Sequence, residues 1–397
     1  MIVLSGAALV LPDRILSPGT LVIEGDRIAD IRPGSTTGLL SDTFALHQHY
    51  ILPGFIDVHV HGVDGLDSLG QDGSIASMAA ALPKYGVTAF CPTTVACPPE
   101  SIARVLTEVG RARQAPPRGA RVLPAHLESN FINPAFAGAQ PAACLRVPRA
   151  SVEAGGEADG FTAEDVLREI ERDVPDVAIV TLAPELHGGI DLISRLVSRG
   201  LRVSLGHSGA AYGEAREAIA AGARQATHLF NRMAPLDHRE PGLVGAVLEA
   251  EEVAAEVICD GVHVHPSLVR VAVEAKRPAR VLAITDGTAL SGLAPGSRAR
   301  LGGEQIVADR FGARLADGTL AGSTCTMDRI FRLLVERVGL SLVDAATVSA
   351  TTPARELGLV GYGVLAPNAS ADLVVLDRAF SVVQTYVGGQ IMYARSA

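Results

Sequence analysis

Apolar positions fall into two textures along this chain. From residue 1 to about 50 they come as short runs broken by turns, LSGAALV and then TLVIEGDRIADIRPG, where Glu24-Gly25-Asp26 marks a tight hairpin between extended segments. The same texture returns near the end in ASADLVVLD and SVVQTYVGGQIMYA. Two strand-rich ends around a different middle predict one small β-sandwich domain built from both termini, residues 1–52 and 359–397.

The middle alternates strand and helix. Buried strand patterns occupy 51–58, 87–90, 121–127, 177–182, 202–206, 224–227, 255–259 and 280–285, with helical patterns such as EDVLREIERD, IDLISRLVSRG and YGEAREAIAAG between several of them. Eight such strands with helical crossovers predict an α/β fold, a (β/α)8 barrel over 53–358, with its chemistry at the C-terminal strand ends. An open doubly wound sheet would give a similar alternation, so the polar residues have to decide. Asp57-Val58-His59-Val60-His61 closes the first run, His126-Leu127-Glu128 the third, His207 the fifth, His228 the sixth and Asp286 the last. One polar group per strand end is what a barrel makes possible. A dinucleotide-binding sheet asks for a Gly-rich fingerprint after its first strand, which this chain lacks.

Composition narrows the function classes. The formal charge is -9, and no Lys/Arg-rich block occurs, which argues against a nucleic-acid partner. The 5 cysteines, Cys91, Cys97, Cys144, Cys259 and Cys325, lie far apart, against a disulfide framework or a cysteine zinc cluster. The apolar N-terminal run has no basic segment before it and soon turns into a strand pattern. It reads as neither signal peptide nor membrane span, so a cytoplasmic location without a membrane partner is expected.

His59 and His61 stand two apart on a strand, so their side chains point the same way and can reach one ion. Imidazole and carboxylate together suit zinc or iron among first-row divalent metals, with zinc preferred. Glu128, His207 and His228 supply three ligands and leave a position for water, while His59, His61 and Asp286 can hold a second ion. Such a centre acidifies water and polarises a carbonyl. Asp286, in AITDGT, is the candidate general base and acid, taking a proton from water and giving it to a leaving amine.

PGFIDVHVHG, HLESNFINP, GHSGA, THLFNRM, REPG, DGVHVHP, ITDGT and LAGSTCTMD occur in this order and span nearly the whole chain. In these motifs the sequence resembles the N-acetylglucosamine-6-phosphate deacetylase family of the amidohydrolase superfamily. The resemblance implies a barrel beside a terminal β-sandwich, a homodimer, and hydrolysis of N-acetyl-D-glucosamine 6-phosphate to D-glucosamine 6-phosphate and acetate. It gives Glu128, His207 and His228 as the principal metal ligands, His59 and His61 as a further pair found in some members, and Asp286 as the catalytic aspartate. It also implies one or two ions per subunit and substrate contacts at Asn231, His263 and Arg239, the last reaching the sugar phosphate across the dimer interface. Gly322 and Ser323 are expected in a loop beside the site, with Ser323 a substrate contact. His265 is expected to cap the next helix or face water.

Two departures from the family pattern stand out. Ser129 and Asn130 replace a Gly-Pro pair after Glu128, adding hydrogen-bonding side chains beside the expected pocket. Gln140 stands where some members have a substrate-contacting histidine; glutamine can donate a hydrogen bond but cannot carry a proton. They keep a sister substrate open, such as N-acetylgalactosamine 6-phosphate. A cyclic-amide amidohydrolase is a more distant alternative, because that class bridges its metals with a carboxylated lysine where this chain offers Glu128.

Overall fold

Gly54 is where one sheet ends and another begins. Tyr50–Pro53 pairs with Leu373–Leu376 from the far end of the chain, whereas Phe55–Val60 pairs with Val87–Thr94. A Cβ on Gly54 would sit 2.1 Å from Thr88 Cγ2, so the chain needs a glycine to pass this corner. The apolar run 51–58 therefore serves two sheets rather than forming one strand. The computed structural model describes residues 1–35, 43–149, 160–310 and 312–396.

Eight parallel strands form the barrel: Phe55–Val60, Val87–Thr94, Ala125–Glu128 preceded by the short Arg121–Val122, Val177–Leu182, Arg202–Leu205, Gln225–Ala226, Ala254–Ile258 and Val281–Ile284. Side chains on both faces are buried, which is why these segments read as nearly continuous apolar runs. The first and last strands meet through Asp286 N–H, which donates to His59 O at 3.0 Å, and Thr285 Oγ1, which donates to Asp57 Oδ2 at 2.5 Å. The crossover helix Ala163–Arg172 shows how the local sequence sets the helices. Thr162 and Asp165 cap its start reciprocally, Val166, Leu167 and Ile170 face the barrel, and charged residues cover the rest.

Both termini build a separate eight-stranded sheet. Ile2–Val10, Ile15–Glu24, Arg27–Pro33 and Thr43–Ala45 join Tyr50–Pro53 to the C-terminal strands Leu373–Leu376, Val382–Val387 and Gln390–Ala394. Leu21 and Ile28 from one end of this sheet share a core with Leu373 and Tyr386 from the other, so the sheet folds over on itself. Gly25-Asp26 forms the hairpin turn, with Glu24 opposite Arg27 and Gly25 at φ 59°. Arg121 bridges sheet and barrel: its guanidinium donates to both Asp372 carboxylate oxygens, at 2.7 and 3.0 Å.

After the last barrel strand the chain adds a small antiparallel sheet, Arg298–Leu301, Glu304–Asp309 and Gly312–Arg314, which the sequence pattern does not announce. No helix among the described residues is long and apolar enough to cross a membrane.

Candidate active site

The polar residues singled out at the strand ends converge at one end of the barrel. On the first strand Asp57, His59 and His61 alternate onto one face. Glu128 ends the third strand, and His207, His228 and Asp286 each follow the last residue of their strand by two. These last three have positive φ, 49°, 31° and 48°. Non-glycine residues rarely hold that conformation, which costs on the order of 1–3 kcal/mol each and is retained where surrounding structure enforces it.

His207 Nε2 and His228 Nε2 lie 2.9 Å each from Glu128 Oε1 and 3.0 Å from one another. Beside them, His59 Nε2 and His61 Nε2 lie 3.3 and 3.2 Å from Asp286 Oδ1. The sets adjoin, for His61 Nε2 is 3.5 Å from Glu128 Oε2. All six groups are buried.

Their outward atoms fix what faces inward. His61 Nδ1 meets Thr93 O at 3.2 Å, His207 Nδ1 meets Phe136 O at 2.8 Å and His59 Nδ1 meets a Glu256 carboxylate oxygen at 2.8 Å. Carbonyl and carboxylate oxygens only accept, so each Nδ1 carries a proton and each Nε2 is the ring atom left to face the centre. The inward Nε2 atoms together with Glu128 and Asp286 form a donor set that fits divalent cations, which would displace any proton held on Nε2, in two groups of three. His228 Nδ1 is buried without a hydrogen-bond partner among the described residues. A third nearby group, His59, His126 and Glu256, reads differently. His126 spends its nitrogens on Val58 O at 3.0 Å and Thr181 Oγ1 at 2.8 Å, and burial lowers its pKa to about 4, so it is a neutral structural ring.

The electrostatics agree with a cation site. Burial opposes charge on His59, yet Glu256, Asp286 and Glu128 hold its pKa up at about 10. Burial likewise opposes charge on Asp286, yet His61 and His59 bring its carboxyl down to about 2. Burial pushes Glu128 upward, and facing His207 and His228 hold it well below the ordinary range. Asp57 is raised to about 6 by burial, against the hydrogen bond from Thr285.

A cavity of about 470 Å³ opens over this cluster, a size suited to a small ligand. Gln140, Asn231 and His263 line it together with Glu128, His207, His228, His61 and Asp286. Gln140 accepts from Ala96 N–H at 2.7 Å and donates to Glu128 Oε2, so it braces the carboxylate. Asn231 donates to His228 O at 3.2 Å and Leu229 O at 3.4 Å. His263 pairs with Asp260 at 2.7 Å; burial works against its charge, but that carboxylate raises its pKa. His265 caps the next helix, accepting from Ser267 N–H at 3.2 Å.

Other residues stand elsewhere. Ser323 is fully buried off the cavity wall; its N–H donates to Asp286 O at 2.8 Å and its hydroxyl accepts from Cys325 N–H at 2.7 Å, so it shapes the backbone under Asp286. Arg239 is exposed and outside the cavity wall. Ser129 and Asn130 are buried and also off the wall. Ser129 donates to Thr181 O at 2.5 Å, and Asn130 ties Cys97 O at 2.8 Å to Cys144 O at 2.7 Å. Of the three residues in these two departures only Gln140 meets the ligand space. Sequence reasoning missed Glu256, Thr93 and Asp260, whose side chains or carbonyls orient the histidines. A carboxylate inside the apolar run AAEVI was the available signal for Glu256, since a buried charge demands a partner.

Comparison with known proteins places this architecture. Residues 50–392 match the model of the Amidohydrolase family. N-acetylglucosamine-6-phosphate deacetylases of Danio rerio and Homo sapiens are each 37% identical, over 96% and 97% of this chain and 91% and 90% of theirs. An N-acetylgalactosamine-6-phosphate deacetylase of Escherichia coli O157:H7 is 34% identical over 86% of this chain and 87% of its own. Among solved structures, a mutant N-acetyl-D-glucosamine-6-phosphate deacetylase of Mycobacterium smegmatis, in complex with N-acetyl-D-glucosamine-6-phosphate, superposes with a TM-score of 0.89 at 32% identity, covering 99% of both chains. With the barrel, the strand-end histidines and carboxylates and these likenesses together, the chain belongs to the amidohydrolase family and, within it, to the N-acetylglucosamine-6-phosphate deacetylase family.

Proposed function

We propose that this chain hydrolyses the acetamide of N-acetyl-D-glucosamine 6-phosphate to D-glucosamine 6-phosphate and acetate. The observation that carries the reading is the position of Asp286, an ionised carboxylate on the cavity wall against His59 and His61, with the Glu128–His207–His228 group alongside. Glu128, His207 and His228 would hold one divalent ion, zinc by preference, and His59, His61 and Asp286 a second. Metal bound there supplies an acidified water and a polarised acyl carbonyl.

The chain's own groups do the rest. Asp286 takes the proton from water and returns it to the amine nitrogen, because an unprotonated amine is a poor leaving group. Gln140 keeps Glu128 in place, and Ser323 with Gly322 fixes the backbone beneath Asp286: a Cβ on Gly322 would lie 2.8 Å from Asp286 O. Asn231 Oδ1 is left to accept from a sugar hydroxyl, and His263, whose charged form Asp260 favours, suits the phosphate end.

The working form is a homodimer in which Arg239 reaches the partner's substrate; its exposed position on the loop with Leu236, 50% exposed, supports this. Five free cysteines, four of them buried, suit the reducing cytoplasm.

The test is acetate release by metal-analysed protein from N-acetylglucosamine 6-phosphate, N-acetylgalactosamine 6-phosphate and unphosphorylated N-acetylglucosamine. Highest kcat/KM on the first is expected. Preference for the galacto epimer would assign the sister activity, with Gln140 the cavity residue to examine, and no release from any of them with metal bound would overturn the reading.

A further inference from the structure

The cavity wall carries a cation that no motif assigned. Arg232, in HLFNRM, is the one arginine lining the cavity, and its guanidinium makes no hydrogen bond or ion pair with any described residue. Buried or half-buried arginines such as Arg121 and Arg202 are engaged, with Asp372 and Glu356, whereas the exposed Arg232 is left free to meet a ligand in the cavity. Asp317 is close enough to feel the charge of Arg232, yet no ion pair joins them.

The surroundings hold Arg232 at the cavity. Its carbonyl accepts from Ser208 N–H at 3.0 Å. Gly138 makes room for its side chain, because a Cβ there would stand 2.5 Å from Arg232 Nε and 3.0 Å from Cζ. The backbone itself is unusual. His228, Phe230 and Arg232 have φ values of 31°, 79° and 51°, so every second residue is left-handed. Two N–H groups of this stretch are spent within the protein, Leu229 on Glu256 O at 2.8 Å and Asn231 on His228 O at 2.9 Å, so the Arg232 side chain is what the stretch offers a ligand. An unpaired guanidinium on the cavity wall is a place for an anion, and its planar fork matches a phosphate monoester with two parallel hydrogen bonds.

We propose that Arg232 is a same-chain phosphate ligand that sets the preference for phosphorylated sugars, so that phosphate recognition does not depend on Arg239 alone. This rests on the proposed deacetylase reading for the identity of the substrate, but not for the presence of an anion site. With His263 and Asn231 on the same wall, Arg232 offsets the dianion while Glu128 and Asp286 stay committed to the reacting end.

The experiment compares the intact metal-loaded protein with Arg232→Ala, Arg232→Gln and Arg232→Lys. It reads deacetylation of phosphorylated and unphosphorylated N-acetylglucosamine and, separately, calorimetric binding of inorganic phosphate. The expected result for Ala and Gln is a roughly 10- to 100-fold fall in the kcat/KM ratio of phosphorylated over unphosphorylated sugar, carried by KM, matching the loss of charge-assisted hydrogen bonds. Phosphate binding should weaken in parallel, and Lys should restore part of both. An unchanged ratio with unchanged phosphate affinity, in an active wild type, overturns the role of Arg232 and leaves the reaction standing. A wild type inactive on all acetylated sugars whose phosphate affinity still falls in Arg232→Ala overturns the reaction and upholds the anion site.

Discussion

His59 Nδ1 lies 2.8 Å from a carboxylate oxygen of Glu256, and the contact joins the first barrel strand to the seventh beneath the candidate metal centre. The same Glu256 accepts from Gln225 Nε2 at 2.5 Å, so it is held from one side and orients a ring on the other. Glu256→Gln keeps the shape and weakens the pull on the imidazole. Metal affinity should fall about 10- to 100-fold, measured by competition with a graded chelator while circular dichroism shows an intact fold. Unchanged affinity would make Glu256 a packing residue only.

Asp286→Asn should separate proton transfer from metal retention. The amide cannot take a proton, so kcat should drop roughly 10²- to 10⁴-fold. The Glu128, His207 and His228 group is untouched and should keep an ion. Metal stoichiometry measured beside kcat checks this. A variant that loses all metal would show Asp286 to be a structural keystone of both sites.

The His263–Asp260 pair predicts a pH dependence. Burial disfavours charge on His263, but Asp260 outweighs it and raises the pKa above the ordinary histidine value. A raised folded-state pKa means that the stability the pair contributes is fully present below the unfolded value and is lost as pH rises through the folded one. Binding of a phosphate monoester through the imidazolium should follow the same limb. Asp260→Asn should shift the alkaline rise in KM for phosphorylated substrate to lower pH. A profile that does not move would remove His263 from the phosphate end.

Arg121→Ala should loosen the terminal sheet from the barrel. It removes the cation from Asp372, which is 4% exposed and keeps Ser370 Oγ and Gly388 N–H as donors, and because Arg121 itself is partly open to water the loss should be about 2 kcal/mol, below that of a fully buried pair. Chemical denaturation reads this loss. Arg121→Lys should recover only part, since a single ammonium cannot reproduce the two-pronged contact.

The barrel was legible because its strands are buried on both faces and so stand out as apolar runs such as VAIVTL, several of them closed or followed by a polar residue. The cluster of candidate ligands at positions 59, 61, 128, 207, 228 and 286 could be read for the same reason: each interrupts or follows such a run. The break at Gly54 was not legible, since it arises from contact with Thr88, distant in sequence. The sheet from Arg298 to Arg314 mixes charged and apolar residues too evenly to declare itself, although Leu301 from it reaches the cavity. Ser129 and Asn130 pointed to the pocket by proximity to Glu128, and only the fold reveals that their hydrogen bonds run elsewhere, to Thr181 O on the neighbouring strand and to Cys97 O and Cys144 O.

The pairing of Tyr50–Pro53 with Leu373–Leu376 also bears on how the protein is made. During synthesis the N-terminal strands leave the ribosome long before their last partners exist, so one strand edge stays open while nearly the whole barrel is translated. Such non-local closure slows folding and leaves an edge that can recruit other chains. Yield in a host should therefore depend on temperature and chaperone supply, and removing the strands after Leu373 should lead to aggregation rather than to a trimmed, working barrel.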